Sequence, residues 1–370
     1  MEHSDVLIVG GGPAGSACAW RLRQEGLDVI VIDRAQFPRD KLCAGWITPQ
    51  AVATLSLSTE EYAEARILQP ITGFRTSLVG EPPVITRYPV VVSYAIRRCE
   101  FDTYLLYRSG ATLRLGTAVK AIESDGKGRW VVNGSVAAHV LVGAGGHFCP
   151  VARLLHTRRS TEPAIVAREV EFEMDEAQQA ACLVQGDTPE LYLAPDLAGY
   201  GWLVRKGNFL NVGFGQIGGR GFAGSLDRFV SWIRTIGRLP PGMPAAWPGH
   251  AYLVWERSPR QPAGDGVLLV GDALGVAAGA SGEGIRPAIE SGILAAETLI
   301  EARGIYTRDR LERYSAKLSK RFGPRSAARL TAGVVASMNR ALARPLLRSA
   351  WFTRTFVLDR WFLQREVPAL

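Results

Sequence analysis

The opening of the chain constrains the fold most strongly. A short apolar run at residues 6–9 leads into the turn Gly10-x-Gly12-x-x-Gly15, and a helix-compatible segment follows over 16–25. In this pattern Gly10 permits a tight turn out of a strand, Gly12 lets the backbone approach a pyrophosphate, and Gly15 lets the helix pack closely. The free N–H groups at the helix start then favour phosphate. The sequence therefore predicts a dinucleotide-binding β-α-β unit.

A carboxylate follows each of two later apolar runs. Asp33 closes the run after the first helix, 18 residues beyond Gly15, where it can accept hydrogen bonds from ribose hydroxyls. Asp272 follows the run 267–270 and precedes a glycine cluster through Gly282 and Gly284 into a predicted helix. It could be a capping Asp, or it could accept bonds from the ribityl hydroxyls of a flavin, with the helix start facing the isoalloxazine pyrimidine. The two motifs together predict FAD.

These motifs resemble a known family. The segment 10–15, the R-x-x-F-D pattern at 98–102, and Gly271-Asp272-Ala273 with Gly282-Glu283-Gly284-Ile285 resemble the geranylgeranyl reductases. That family is a branch of the p-hydroxybenzoate-hydroxylase-like flavoproteins. The resemblance covers roughly residues 1–300 and implies a glutathione-reductase-type FAD-binding domain. It also implies FAD contacts at Pro13, Ala14, Arg34, Lys41, Cys43, Ala44, Arg98, Val119 and Ile285.

One cysteine is the candidate catalytic residue. Lys41-Leu42-Cys43-Ala44-Gly45 is similar to the family's K-x-C-G-G segment, with Ala44 in place of a glycine. The resemblance implies that Cys43 lies beside the flavin face, where a thiol could protonate a substrate carbon while the flavin delivers hydride to its neighbour. The alternative for any cysteine is a small buried apolar side chain.

A second segment indicates the substrate cavity. Tyr200, Trp202 and Lys206 fall in a stretch similar to the family's Y-x-W-x-F-P-K segment, which lines the cavity. Val204 and Arg205 stand where Phe and Pro are usual, so the resemblance allows a different substrate. The two aromatic residues could equally pack between sheets.

The electron donor is left open by a third segment. Ala144-Gly145-Gly146 sits where related hydroxylases carry A-D-G, and Gly145 takes the place of the acid that helps flavin and NAD(P)H engage. The sequence has no second dinucleotide fingerprint. NAD(P)H, ferredoxin and another flavin therefore all stay as candidate donors.

The order of these elements predicts an α/β fold with a discontinuous FAD-binding domain, since its elements occur early, in the middle and late. We expect that domain at 1–70, 95–160 and 262–303. An inserted antiparallel β-sheet substrate domain is expected at 71–94 and 161–261, and a basic helical C-terminal region at 304–370.

The basic charge is concentrated at the C-terminal end. Of the net charge of +8, the stretch from Arg313 onward contributes +10 and the rest −2. A nucleic-acid protein would usually carry its basic stripe on the main domain, so we expect no nucleic-acid partner. Arginines alternate with Leu347, Trp351, Leu358 and Phe362, which could share a helical face. This face could sit among anionic lipid headgroups or pack on its own domain.

The cellular compartment is predicted from the absence of two sequence patterns. There is no apolar run of the roughly 18–20 residues that span a bilayer and no signal-peptide pattern. The five cysteines show neither CxxC pairing nor metal-ligand spacing. We expect a cytoplasmic protein with free thiols and no metal, with membrane association through the C-terminal segment as the alternative.

The function expected is that of an FAD-dependent oxidoreductase that reduces C=C bonds of an isoprenoid or similar apolar substrate. One alternative is a flavin monooxygenase that hydroxylates an aromatic or polyketide-like compound. Another is a flavoprotein that binds an apolar ligand without turnover.

Overall fold

A computed structural model describes residues 1–126, 128–155, 164–279, 281–325 and 340–370. The chain forms two compact units, each with its own sheet and core. The first unit comprises Met1–Asp40, Cys99–Pro163 and Tyr252–Ala327. The second comprises Lys41–Arg98, Ala164–Ala251 and Ala328–Leu370.

The strands of the described residues are β1 (Glu2–Val9), β2 (Val29–Ile32), β3 (Trp46–Ile47), β4 (Leu68–Ile71), β5 (Gly73–Leu78), β6 (Val84–Arg87), β7 (Ser93–Ile96), β8 (Thr112–Arg114), β9 (Ile122–Ser124), β10 (Trp130–Val132), β11 (Val136–Gly143), β12 (Ile165–Glu173), β13 (Glu190–Leu193), β14 (Gly199–Lys206), β15 (Phe209–Ile217), β16 (Gly249–Tyr252), β17 (Ala263–Gly264) and β18 (Val267–Leu269).

The helices of the same residues are α1 (Pro13–Gln24), α2 (Pro49–Thr54), α3 (Thr59–Ala63), α4 (Arg98–Arg108), α5 (Val151–Leu154), α6 (Glu176–Ala181), α7 (Phe222–Thr235), α8 (Ile285–Ala302), α9 (Arg308–Leu311), α10 (Arg313–Phe322), α11 (Arg340–Leu347) and α12 (Ala350–Phe352). A π-helix, Thr353–Phe362, follows α12 directly. None of these helices is long and apolar enough to cross a membrane.

The first unit is an α/β layer built on a largely parallel sheet. Its strand order is β17-β18-β11-β1-β2-β8, and β1 pairs in parallel with both β2 and β11. Every residue of β2 is buried, which is typical of a strand covered on both faces. The predicted β-α-β opening is confirmed.

The second unit contains a mixed sheet in the order β16-β12-β15-β14-β13-β5-β6 and a small sheet β3-β7-β4. Most pairs in the large sheet are antiparallel, as predicted, but β13 pairs with β5 in parallel. The two strands are far apart in the chain, so no hairpin turn forces them to run in opposite directions. The substrate sheet is therefore not purely antiparallel.

Helix α7 interrupts the stretch that the sequence predicted as β-rich. Its apolar residues Phe222, Leu226, Phe229 and Ile233 recur at helical spacing and are buried. The ring of Phe229 lies over Gly201 on β14, where an added Cβ would come within 2.3 Å of it. This spacing was the signal that could have identified the helix.

The boundaries of the two compact units differ from those of the predicted domains. Residues 41–70, expected in the FAD-binding domain, group with the second unit because β4 pairs with β7. The predicted region 304–370 is divided, since α9 and α10 belong to the first unit. Part of it, 326–339, lies outside the described residues. The assignment of functional domains stays a prediction.

The C-terminal segment packs most of its predicted apolar face on the second unit. Leu347, Leu358 and Phe362 are buried, whereas Trp351 is 66% exposed. Arg348 pairs with Glu81 at 2.5 Å, which ties this segment to the residues after β5. Membrane contact through Trp351 stays a prediction.

The packing of α8 on α1 predicts opposite effects for two helical glycines. At Gly292 a Cβ would lie 2.2 Å from the Ala14 carbonyl oxygen, whereas at Gly224 on α7 the nearest atom is a flexible arginine nitrogen at 3.7 Å. We expect Gly292→Ala to lower the free energy of unfolding by about 1–3 kcal/mol through overpacking. Gly224→Ala should raise it by about 0.5–1 kcal/mol. Thermal and urea unfolding measure both, and equal effects would contradict the packing described.

Candidate functional site

The turn after β1 leaves no room for side chains. Gly10 has φ +116°, and a Cβ there would lie 2.4 Å from the Ala144 carbonyl oxygen. A Cβ at Gly15 would lie 2.0 Å from the Gly10 oxygen. Helix α1 begins at Pro13, and Gly12 before it supplies no side-chain cap. The first N–H groups of α1 are therefore available to an anionic ligand, as the glycine pattern predicted.

The carboxylate of Asp33 is held by this turn. One oxygen accepts the Gly11 N–H at 2.8 Å, and the other accepts the Ala35 N–H at 2.8 Å. Each carboxylate oxygen keeps a further lone pair for a ligand hydroxyl. Asp33 is half-buried beside the glycine turn, in the position expected of a ribose acceptor, whereas its neighbour Arg34 is exposed.

Arg39 is a neighbour of the turn that the sequence did not indicate. Its Nη2 is the nearest atom, at 3.5 Å, to a Cβ built on Gly12. Its guanidinium pairs at 3.2 Å with Asp102, which is fully buried. Asp102 ends the R-x-x-F-D pattern, so within the first unit this motif holds a cation beside the glycine turn.

The second turn follows β18 and contacts the first. Gly271 has φ +58°, and a Cβ there would lie 2.8 Å from the Cβ of Ala14. Helix α8 begins at Ile285 after Gly284, which again provides no side-chain cap. Asp272 Oδ1 lies 4.0 Å from a Cβ built on Gly284, so this carboxylate sits at the start of α8. The first unit thus brings the two predicted glycine turns together.

A buried arginine supports the second turn. Arg260 is fully buried, and its Nη1 donates to the Ala273 oxygen at 2.8 Å and to the Asp272 oxygen at 3.4 Å. Its Nη2 donates to the His147 oxygen at 2.9 Å. A lone arginine in a loop gives no sequence signal, because its role depends on carbonyls from distant segments.

Glu283, beside the second turn, is a half-buried acid whose two carboxyl oxygens are buried. Neither of its carboxyl oxygens has a hydrogen-bond partner among the described residues. Burial raises the pKa of Glu283 to about 7, and the nearby Arg286 opposes this rise only in part. Arg286 is itself engaged by Glu290, to which its Nε donates at 2.9 Å.

Cys43 and Lys206 lie together in the second unit. The Cys43 sulfur accepts the Gly45 N–H at 3.4 Å. Gly45 has φ +70°, and a Cβ there would lie 2.7 Å from Lys206 Nζ and 2.1 Å from the Ile96 oxygen. The Lys206 ammonium, fully buried, therefore packs directly against the Cys43 loop and forms an ion pair with Glu171.

Two polar residues extend this arrangement. Asn211 Nδ2 donates at 3.3 Å to both the Cys43 carbonyl and Glu171. The indole N–H of Trp202 donates to Asn211 Oδ1 at 2.7 Å. Trp202 is buried, so its polar atom serves this network, while Tyr200 is half-buried in edge contact with Trp361. Substrate contact by these two aromatics stays a prediction.

Glu169, which the sequence did not indicate, is a buried acid beside this network. It is 1% exposed on β12, and a Cβ at Gly213 would lie 2.7 Å from its Cβ and 2.2 Å from the indole of Trp202. Burial raises the pKa of Glu169 to about 7, against the lowering effect of Lys206. A single acid in a strand has no local pattern that would reveal it.

The remaining predicted cofactor residues are divided between the units. Val119 is half-buried against the core of the first unit. Lys41 and Ala44 are half-buried and Arg98 is buried, and these three belong to the second unit. Contact of each with FAD stays a prediction.

Comparisons with known proteins identify the family. An FAD-dependent oxidoreductase model matches residues 5–84. A menaquinone reductase of Mycobacterium tuberculosis is 32% identical over 326 residues, covering 80% of this chain and 77% of that protein. Digeranylgeranylglycerophospholipid reductase 1 of Methanopyrus kandleri is 28% identical over 319 residues, covering 80% of each. The chain belongs to the geranylgeranyl reductase family of FAD-dependent oxidoreductases.

A solved structure agrees with this family in fold. The geranylgeranyl bacteriochlorophyll reductase-like protein of Thermoplasma acidophilum superimposes with a TM-score of 0.79 at 21% identity, covering 99% of this chain and 98% of that one. FAD is the cofactor of the family, and the residues of the first unit fit it. The uncapped start of α1, Asp33, and Asp272 at the start of α8 offer the donors and acceptors that a pyrophosphate, a ribose and a ribityl chain require.

The position of Asp33 predicts a loss of FAD affinity on substitution. Asp33→Ala removes a charged acceptor and leaves the Gly11 N–H unpaired, so the dissociation constant should rise about 10–100-fold. Asp28→Ala, at the exposed opposite end of β2, is the matched control. Titration of the apoprotein with FAD, followed by flavin fluorescence, measures both. An unchanged affinity in Asp33→Ala would contradict the assignment.

The buried carboxyl group of Glu283 predicts a pH dependence of stability. Because its pKa rises from 4.5 to about 7 in the folded chain, its stabilising effect is complete below the lower value and lost as the pH rises through the higher one. From pH 5.5 to pH 8, the free energy of unfolding of the natural chain should fall by about 2 kcal/mol more than that of Glu283→Gln. Glu297→Gln, on the same helix, should follow the natural chain. Urea unfolding at the two pH values makes the comparison.

Proposed function

We propose that this chain reduces C=C bonds in an isoprenoid or similar apolar substrate. The observation that carries the proposal is the Cys43 thiol, which lies on a loop held by hydrogen bonds from Gly45 and Asn211. The relatives of this chain are named as reductases. FAD, when bound and reduced, supplies the hydride for this reaction.

Cys43 is proposed to supply the proton. Saturation of a C=C bond needs a hydride at one carbon and a proton at the other. The Cys43 sulfur is half-buried and accepts the Gly45 N–H, a bond that stabilises negative charge on sulfur once the proton has left. The fixed loop also limits the positions that the sulfur can take, which lowers the cost of orienting it.

The substrate class follows from the names of the relatives. Menaquinone and digeranylgeranylglycerophospholipid both carry polyprenyl chains, which contain isolated C=C bonds in an apolar surrounding. Tyr200, Trp202 and Lys206 are the proposed substrate-binding residues. Val204, at the family's Phe position, is fully buried in a cluster of apolar side chains with Trp202. The smaller side chain supports a cavity shaped differently from that of other members.

The proposed electron donors are NAD(P)H, a ferredoxin or another reduced flavin. Gly145 stands where related hydroxylases carry an acid, and a Cβ there would lie 3.3 Å from the Cys149 sulfur. A side chain there would need the thiol to shift by a few tenths of an ångström. The missing acid favours a ferredoxin or flavin donor over direct reduction by NAD(P)H.

The proposed function is tested under anaerobic conditions with dithionite as reductant and a polyprenyl lipid as substrate. Mass spectrometry should show a product heavier by two hydrogens for each bond reduced. Fast, substrate-accelerated oxygen consumption with oxygen incorporated into the product would instead identify a monooxygenase. Reduced flavin that no substrate reoxidises would indicate ligand binding without turnover.

Cys43→Ala should retain FAD and lose turnover. General acid catalysis contributes about 10²–10⁴-fold, so the rate of reduction should fall by about that factor. Cys182→Ala is the matched control, since Cys182 is a half-buried free thiol of the same unit. Single-turnover reoxidation of the reduced flavin by substrate gives the rates. Equal rates for the natural chain and Cys43→Ala would remove Cys43 from the reaction.

A further inference from the structure

One cation lies beside the second glycine of the first turn. Apart from its chain neighbours, a Cβ built on Gly12 would meet one atom of the described residues within 4 Å, which is Arg39 Nη2 at 3.5 Å. By contrast, a Cβ on Gly10 or Gly15 would lie within 2.4 Å of a backbone oxygen. The second glycine of such a turn is the one that lets the backbone approach a pyrophosphate. The Arg39 guanidinium therefore lies at the edge of the space that a pyrophosphate would enter.

Two partners hold the Arg39 guanidinium in this position. It forms an ion pair at 3.2 Å with Asp102, whose side chain is fully buried. It also lies over the ring of Phe37, 4.8 Å from the ring centroid. Phe37 is itself buried, and its Cζ would lie 3.3 Å from a Cβ built on Gly11. Because a side chain that is already ordered loses little entropy on binding, this arrangement favours a ligand contact by Arg39.

The chemistry of this position suits a phosphate. A guanidinium carries five N–H donors in one plane, and an ion pair with one carboxylate uses at most two of them. The Arg39 side chain is 19% exposed, so its two partners do not enclose it. The first turn of α1 contains no acidic residue that would repel an anion, and its N–H groups carry partial positive charge. Hydrogen bonds from a guanidinium to a phosphate are also stronger than those between neutral groups.

A structural role is the alternative for the same residue. A buried carboxylate is costly without an opposite charge, so Arg39 could serve only to neutralise Asp102. The two roles differ in one consequence. A structural cation becomes dispensable when Asp102 is made neutral, whereas a residue that binds phosphate does not.

We propose that Arg39 binds the pyrophosphate of FAD, and that Asp102, at the end of the R-x-x-F-D pattern, holds Arg39 in place for it. The inference concerns the cofactor alone and holds for any substrate that the bound flavin reduces. It gives a binding role to an arginine outside the glycine motif and a positioning role to Asp102.

The affinity of the apoprotein for FAD tests the proposal. Arg39→Gln removes the cation, so the dissociation constant, measured by flavin fluorescence, should rise about 10–100-fold. The difference from the natural chain should shrink as NaCl is added, because salt screens the charge. Arg21→Gln is the matched control, since Arg21 also lies in this unit, on α1, and pairs with Glu25 at 2.6 Å. An unchanged affinity in Arg39→Gln would overturn the proposal.

Two fragments of the cofactor locate the effect. ADP contains the pyrophosphate and adenosine lacks it, and each is used to compete with FAD for the apoprotein. Arg39→Gln should raise the inhibition constant of ADP by about the same factor as the dissociation constant of FAD, and it should leave that of adenosine unchanged. Equal weakening of both fragments would refute a contact with the pyrophosphate.

A double variant separates the binding role from the structural one. Arg39→Gln/Asp102→Asn removes both charges, so the Asp102 carboxylate is not left without this cation, and the test stays valid if Arg39→Gln fails to fold. Raised dissociation constants for FAD and ADP in the double variant would support the phosphate contact. Natural affinity in the double variant would show that Arg39 serves Asp102 alone and would overturn the proposal. Asp102→Asn alone should weaken FAD binding less than Arg39→Gln, since the cation stays and only its ion pair is lost.

Discussion

The close approach of α8 to α1 fixes the dinucleotide-binding edge of the first unit. A Cβ on Gly292 would lie 2.2 Å from the Ala14 carbonyl oxygen, and a Cβ on Gly271 would lie 2.8 Å from the Ala14 Cβ. Only the hydrogen atom of glycine fits at either position. Protein interiors are close-packed, so such contacts define the distance between helices within a few tenths of an ångström. The contact brings together two turns more than 250 residues apart in the chain. This contact positions the starts of both helices, which have no side-chain cap, together with the carboxylates of Asp33 and Asp272.

Much of the first unit could be predicted from local patterns. The glycine spacing and the apolar runs at β1 and β2 each depend on neighbouring residues, and the structure confirms the elements that they predict. The second unit was harder to predict. The parallel pairing of β5 with β13 depends on segments far apart in the chain, and α7 lies in a stretch that was predicted as part of the antiparallel sheet domain. The assignment of residues 41–70 depended on the same long-range pairing.

The site shows the same division. Gly10, Asp33 and Asp272 could be identified because a motif places them at fixed distances along the chain. Arg260 and Glu169 could not, because each gains its role from carbonyls or charges that folding brings from other segments. Lys206 and Cys43 were identified separately, through two resemblances, and only the structure shows that the ammonium packs against the loop of the thiol. The resemblance indicated the parts of the network, and the strand register determined how they connect.

Gly213 has a consequence for how this protein can change over evolutionary time. The volume that its missing side chain leaves is shared by an indole and a carboxyl-bearing side chain. Any enlargement at this position must therefore be preceded by a smaller residue at Trp202, because the reverse order passes through an overpacked intermediate. The contact with Glu169 is through its Cβ, which every residue except glycine has, so a shorter acid there would not make room. Positions 213 and 202 form an epistatic pair in which the order of substitutions is restricted. Members of the family that carry a larger residue in place of Gly213 should accordingly lack the tryptophan.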